Sequence, residues 1–332
     1  MASLLHEDQL VSELKELNNY LEKRHRVGGT TGERRQQAEQ KGVFAPLSGL
    51  SGKEISSFFQ GRPLVGVDGS LATYGASYPY VVTFFRALAH TTSSGSSNER
   101  IWVQEIFSPL LPRYQEKMEE RISKGQNPDE AMAHLRWETL ATLEAKAALQ
   151  VLESRPRLVV FDGGFARLKM HAPQIWNELK VTALEQEVLL LGVTEEIATC
   201  SLAQTLITEG EQGLPGLMGD REILFGLLQP GETYRLHEGD SGEQGRLYAR
   251  FARHPQVVAV DYLRDQESVF EPALNFLYSI TPSHGRGFPL WLDVVDAEVR
   301  LSREEVEAMI ATCLDPAMAE VFLRPLRASR EL

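Results

Sequence analysis

Hydrophobic and polar positions change period several times along the chain. Over residues 3–24, Leu4, Leu5, Leu10, Leu14, Leu17 and Leu21 recur at near-helical spacing with charges between them, which predicts an amphipathic helix. Such a helix either packs on its own domain or serves as an arm for dimerisation or a partner. The following "RVGGTTGERRQQAEQKG" is polar and glycine-containing, so residues 1–45 read as a helical arm and an exposed linker.

From residue 63 the pattern is that of strands. "PLVGVDG" is a short buried-type run, and "YPYVVTFFRALAH" and "RIWVQEIF" are two more strands on either side of the serine-rich "TTSSGSSNE". A long helix is predicted from Asn127 as N-cap, with Pro128 at its first position and Glu130 closing a capping box, to about residue 153. "RLVVFD" (strand), "HAPQIWNELKVTALEQE" (helix), "VLLLGV" (strand) and "EIATCSLAQTLI" (helix) follow. Beyond the Gly-rich loop "GEQGLPGLMGD" come the β-like "ILFGLL", "TYRLHE", "RLYARFA" and "QVVAVDYL". The helical "ESVFEPALNFLYSI", "REEVEAMIATCL" and "PAMAEVFLRPLRA" complete the chain. Three strands followed by alternating helix and strand predict an α/β fold whose mixed sheet starts antiparallel, continues parallel and carries helices on its faces. An RNase H-like core over residues 46–332, with C-terminal helical additions, has this order.

Composition narrows the function. At 332 residues, 42% hydrophobic and 24% charged, the chain has ample material for a core but no apolar run near the roughly 20 residues that span a bilayer. "MASLLHEDQLVSELKEL" carries acids early and lacks the basic-then-apolar layout of an export signal, so no membrane association is expected. Cys200 and Cys313 are too few for a disulfide framework and fit a reducing cytoplasm, and without CxxC a zinc site of usual spacing is not expected. A net charge of −12 argues against a free-standing DNA binder. It leaves room for an enzyme that gathers carboxylates around metal ions, or one handed DNA by a partner. No GxxxxGK[ST], GxGxxG or GxSxG motif occurs.

The carboxylates carry the candidate chemistry. Asp68-Gly69 and Asp162-Gly163 each end a hydrophobic run; locally each reads as a turn or cap, or as a ligand delivered to a site. Glu144 has Leu140, Ala141, Ala147 and Ala148 as its helical neighbours, a setting that is costly for an ionised group unless it is paired or bound to metal. Glu138, among His134, Leu135, Ala141 and Thr142, lies in a wetter setting and is the runner-up. Three such carboxylates suit two-metal phosphodiester hydrolysis, with Mg²⁺ or Mn²⁺ ions about 4 Å apart.

"VGVDGS", the helix carrying Glu144, "VVFDGG" and "GFPLWLDVVDAEVRLS" together resemble, in that order, the motifs of the NurA nucleases over most of residues 60–305. The resemblance implies an RNase H-like homodimer that cleaves DNA with Mn²⁺ or Mg²⁺, as an endonuclease or 5′–3′ exonuclease. It also implies joint work with a HerA-type hexameric ATPase translocase on DNA ends, in repair or antiphage defence. Asp68, Glu144 and Asp162 match the family's acidic positions. In the late motif Pro289 and Leu290 are present, and the usual histidine position holds Asp296, with Asp293 its competitor. The catalytic, metal-binding set expected on this resemblance is Asp68, Glu144, Asp162 and Asp296. Where the family often has lysine after the "LLLGV" strand, this chain has Thr194, Glu195 and Glu196. These departures leave a second reading, a catalytically silent subunit regulating a ring ATPase. A third, a nuclease of RNA–DNA hybrids, shares the metal chemistry.

Overall fold

Nine strands occur among the described residues: β1 (Gly42–Pro46), β2 (Leu64–Ser77), β3 (Tyr80–Thr91), β4 (Arg100–Phe107), β5 (Leu158–Asp162), β6 (Leu189–Thr194), β7 (Glu232–Leu236), β8 (Gln244–Arg250) and β9 (Val258–Leu263). They are seen in a computed structural model that describes residues 2–25, 30–92, 100–206, 218–237 and 242–324. The chain divides into two units. The larger comprises Gly49–Val193, Asp261–Ile280 and Pro289–Leu332; the smaller comprises Met1–Ser48, Thr194–Val260 and Thr281–Phe288.

In the larger unit the strand order is β6-β5-β2-β3-β4. β2, β3 and β4 form an antiparallel meander, while β5 and β6 continue parallel to β2. This is the RNase H-like mixed sheet that the order of elements predicts. β5 and β6 are near-continuous hydrophobic runs because both of their faces are covered. β2 is longer than expected and passes straight through Asp68-Gly69, with Asp68 paired to Leu88. The hairpin turn falls at Tyr78-Pro79 instead, so the turn reading of Asp68-Gly69 is overturned.

Alternation along β2 assigns its two faces. Val65 and Val67 join Phe85, Ala87 and Ala89 in a core roofed by the helix Pro128–Val151, whose Leu135, Ala141, Ala145 and Ala148 are buried against it. That helix starts as its sequence predicts: Asn127 Oδ1 accepts from Glu130 N–H at 2.9 Å and Glu130 Oε2 accepts from Asn127 N–H at 3.1 Å. Gly66 and Asp68 face the other way, where the helix Leu290–Val299 lays Trp291, Val295 and Val299 around Leu88. Gly66 is required by this approach. A Cβ there would stand 2.8 Å from Val295 Cγ2 and 2.9 Å from Trp291 Cδ1.

In the smaller unit β7 lies between β1 and β8, antiparallel to both. Here the expected linker is in part a helix, Thr31–Lys41, with Arg34 and Ala38 buried. Its start is a capping box between Thr30 and Glu33, easily overlooked in so polar a stretch. Arg35 fixes it to Glu232 through bonds of 2.9 and 2.6 Å, and Tyr234 Oη donates to Ala38 O at 2.9 Å.

Other elements also depart from expectation. The β-like "ILFGLL" belongs to a short helix, Asp220–Leu224, followed by turns in which Gly226 takes φ +77°. The helix over "EIATCSLAQTLI" begins only at Ser201. "ESVFEPALNFLYSI" splits into a 3₁₀ stretch (Arg264–Val269) and a helix (Glu271–Ser279) opened by Pro272. A helix at Pro112–Ser123 has no counterpart in the sequence reading. Most of the serine-rich and glycine-rich loops, at 93–99 and 207–217, lies outside the described residues, as does the C-terminal end beyond 324. The N-terminal helix spans Ala2–His25, and its Leu10, Leu14, Leu17 and Leu21 are exposed rather than packed into a core. Among the described residues no helix is long and apolar enough to cross a membrane.

Gly66→Ala should therefore loosen the helix Leu290–Val299 and cost about 1–3 kcal/mol, the usual range for overpacking. Urea unfolding of the purified protein measures it, and a wild-type midpoint would contradict the close approach.

Candidate active site

Asp68 and Asp162 are brought together by strand register. β2 and β5 run parallel with Val67 opposite Phe161, so the next residue on each strand is an aspartate. Beyond Asp162 the chain turns at Gly163, whose φ of +112° suits glycine and whose N–H donates to Val193 O at 2.8 Å. Gly192 keeps β6 close, since a Cβ there would lie 2.7 Å from Gly163 O. The helix Phe165–His171 follows, its first N–H donated to buried Asp261 Oδ2 at 2.9 Å. One turn of this helix returns Arg167 toward the strand ends.

Glu144 arrives from the opposite face of the sheet. It is 1% exposed and reaches β2 where Gly69 leaves room, for a Cβ on residue 69 would lie 2.5 Å from Glu144 Oε1. Asp296 comes from the helix Leu290–Val299, partly exposed and bonded to Arg300 at 2.7 Å. The site thus draws on two strands and on helices from both faces of the sheet.

Charge crowding dominates its electrostatics. Asp68 accepts one hydrogen bond, from Gly69 N–H at 2.7 Å. Burial, and then the charges of Asp162, Glu144 and Asp296, outweigh it and raise the Asp68 pKa from 3.8 to about 8. Asp68 therefore keeps its proton at neutral pH. Burial also pushes Glu144 up, and an ion pair from Arg167 Nη2 to Glu144 Oε2 pulls it part of the way back. Burial opposes the charge on Arg167, but Glu144, Asp68 and Asp162 prevail and hold the guanidinium protonated above its usual range. The same Nη2 lies 3.5 Å from Asp162 O. Glu144 Oε1 is buried without a hydrogen-bond partner.

The structure thus places Glu144, Asp162 and Asp296 within electrostatic reach of Asp68. Glu138 is elsewhere, paired with Lys117 at 3.1 Å and Arg121 at 2.9 Å. Asp293 is not among the charges acting on Asp68. Glu195 pairs with Arg286 at 2.8 Å within the smaller unit. Sequence reasoning missed Arg167; the available signal was a basic residue three positions after Asp-Gly-Gly, at the start of a helix.

An all-oxygen donor set, a carboxyl forced to keep its proton and an orphaned carboxylate oxygen are what a hard divalent cation would relieve, so the residue types suit such an ion. As the side chains stand, no three His, Cys, Asp or Glu among the described residues converge closely enough to grip an ion.

The NurA domain family matches residues 62–301. The crystal structure of the NurA nuclease from Sulfolobus solfataricus aligns at a TM-score of 0.55 and 14% identity, over 92% of this chain and 94% of that one. A second NurA crystal structure aligns at 0.51 and 11% identity, over 93% and 98%. At such identities the likeness is one of fold. No curated protein matches the chain in sequence.

Asp68 also has a thermodynamic signature. The folded protein holds its proton more tightly than the unfolded chain, so this contribution to stability is full below about pH 4 and is lost as pH rises to about 8. In the metal-free protein Asp68→Asn should flatten that part of the stability–pH curve, as read by denaturation at a series of pH values. An unchanged slope would remove the charge crowding from the account.

Proposed function

The chain belongs to the NurA family, and on that premise we propose that it is a divalent-metal-dependent deoxyribonuclease that processes DNA ends. The observation that carries this reading is the crowding around Asp68, strong enough to hold a proton on an aspartate at neutral pH. Asp68, Glu144, Asp162 and Asp296 would hold Mn²⁺ or Mg²⁺. When bound, such ions supply positive charge to a phosphodiester and to the oxygen that attacks it. The chain's own residues prepare the place. Asp68 would release its proton to solvent in order to serve as a ligand, Gly69 lets Glu144 reach the strand, and Gly163 turns the chain so that Arg167 faces the carboxylates.

The net charge of −12 repels DNA at long range, which supports a reading in which DNA is delivered rather than captured. A HerA-type hexameric ATPase is the proposed source of that delivery, and a homodimer the proposed form of the nuclease. The ion pair from Glu195 to Arg286, at the position where the family often has lysine, favours a second reading, a silent subunit that binds such an ATPase.

Purified protein with Mn²⁺ and linear DNA should show cleavage, and Asp68→Ala should lower the rate by at least about a hundredfold, the scale of losing an essential electrostatic contributor. Full activity in a folded Asp68→Ala protein would sink the assignment. Absence of cleavage with and without the ATPase, together with a stable complex, would select the silent subunit.

A further inference from the structure

We infer that Arg167 is the resident cation of the metal-free site and competes with the divalent ion for Glu144, so that it sets how tightly the ion binds. The inference rests on the nuclease reading above. Three observations lead to it. Arg167 Nη2 sits on Glu144 Oε2, while Oε1, the oxygen turned toward Gly69 on β2, stays buried and unpartnered, so the guanidinium already holds the carboxylate that reaches the strand from this face. The same guanidinium also faces Asp68 and Asp162, so it serves the cluster rather than one residue. Beside it, no three candidate ligands among the described residues close around a point.

An arginine cannot leave by giving up its proton. It leaves by rotating away, and the Arg167 side chain, 22% exposed beside a fully buried Glu144, has solvent to move into. An arriving ion therefore draws on a carboxylate whose charge a guanidinium already answers, and binds it fully only as that guanidinium gives way. Ion and guanidinium oppose one another at Glu144, and removing either favours the other.

Mn²⁺ binding to the full chain without DNA tests this, by calorimetry and by loss of the free-ion paramagnetic resonance signal at mildly alkaline pH. Arg167→Gln should tighten binding about tenfold or more. Arg167→Lys, which keeps the charge but loses the fork, should fall between the two, and carries the test if Arg167→Gln does not fold. In a Glu144→Gln background Arg167→Gln should leave Mn²⁺ affinity unchanged. Stability supplies a second readout. The metal-free Arg167→Gln protein should melt at a lower temperature than wild type, because Glu144 is left buried without a counter-charge, and saturating Mn²⁺ should raise its melting temperature by more than it raises wild type's. Equal or weaker Mn²⁺ binding in the folded arginine variants, with binding to wild type intact and abolished by Asp68→Asn, would overturn the inference and leave the nuclease reading standing. A wild-type protein that binds no Mn²⁺ would overturn both.

Discussion

Mutual repulsion among buried carboxyl groups is the constraint to which the rest of this structure answers. Two unit charges 4 Å apart oppose one another by about 4 kcal/mol at the effective dielectric of a protein surface, and more when buried. The chain meets this with a proton retained on Asp68, a guanidinium on Glu144 and a backbone N–H on Asp68. Each is a different kind of positive partner. Their combined presence explains how a fold of ordinary composition tolerates a cluster that would otherwise loosen its sheet.

Bringing the carboxylates together also dictates where side chains are absent. Gly66 admits one helix to the sheet, Gly69 admits Glu144 from the other face, and Gly192 admits the turn at Gly163. A β-carbon at any of these would overlap a neighbouring group at less than 3 Å. The glycines of "LVGVDGS" are therefore as much a part of the site as its aspartate. They give up strand propensity so that helices can approach.

Much of this was legible in the sequence, for identifiable reasons. Strands covered on both faces are written as unbroken hydrophobic runs, so β2, β5 and β6 stood out. Asn127-Pro128 and Glu130 announced a helix, and the alanines around Glu144 marked that glutamate as buried. What stayed hidden lacked a periodic signature. The helix Thr31–Lys41 buries only Arg34 and Ala38, too narrow an apolar face to register. Arg167 lies on a seven-residue helix, too short to show a period, and shares it with Lys169. The choice between Glu138 and Glu144 depended partly on the helix Pro112–Ser123, which supplies Lys117 and Arg121 to Glu138 and was not foreseen. The two units are not visible as stretches of sequence either, because each is assembled from three separated segments.

That assembly from segments sets an order in time. β2, the long helix and β5 have all left the ribosome well before residues 290–299 are made. A nascent chain can thus place Asp68, Glu144 and Asp162 while the face of β2 that carries Gly66, and the Leu88 side chain beside it, still lack their cover. The helix that closes this face is the one that carries Asp296. Because one helix does both, neither the carboxylate cluster nor the cover of this face can be completed before residues 290–299 are made, and a chain truncated ahead of them lacks both.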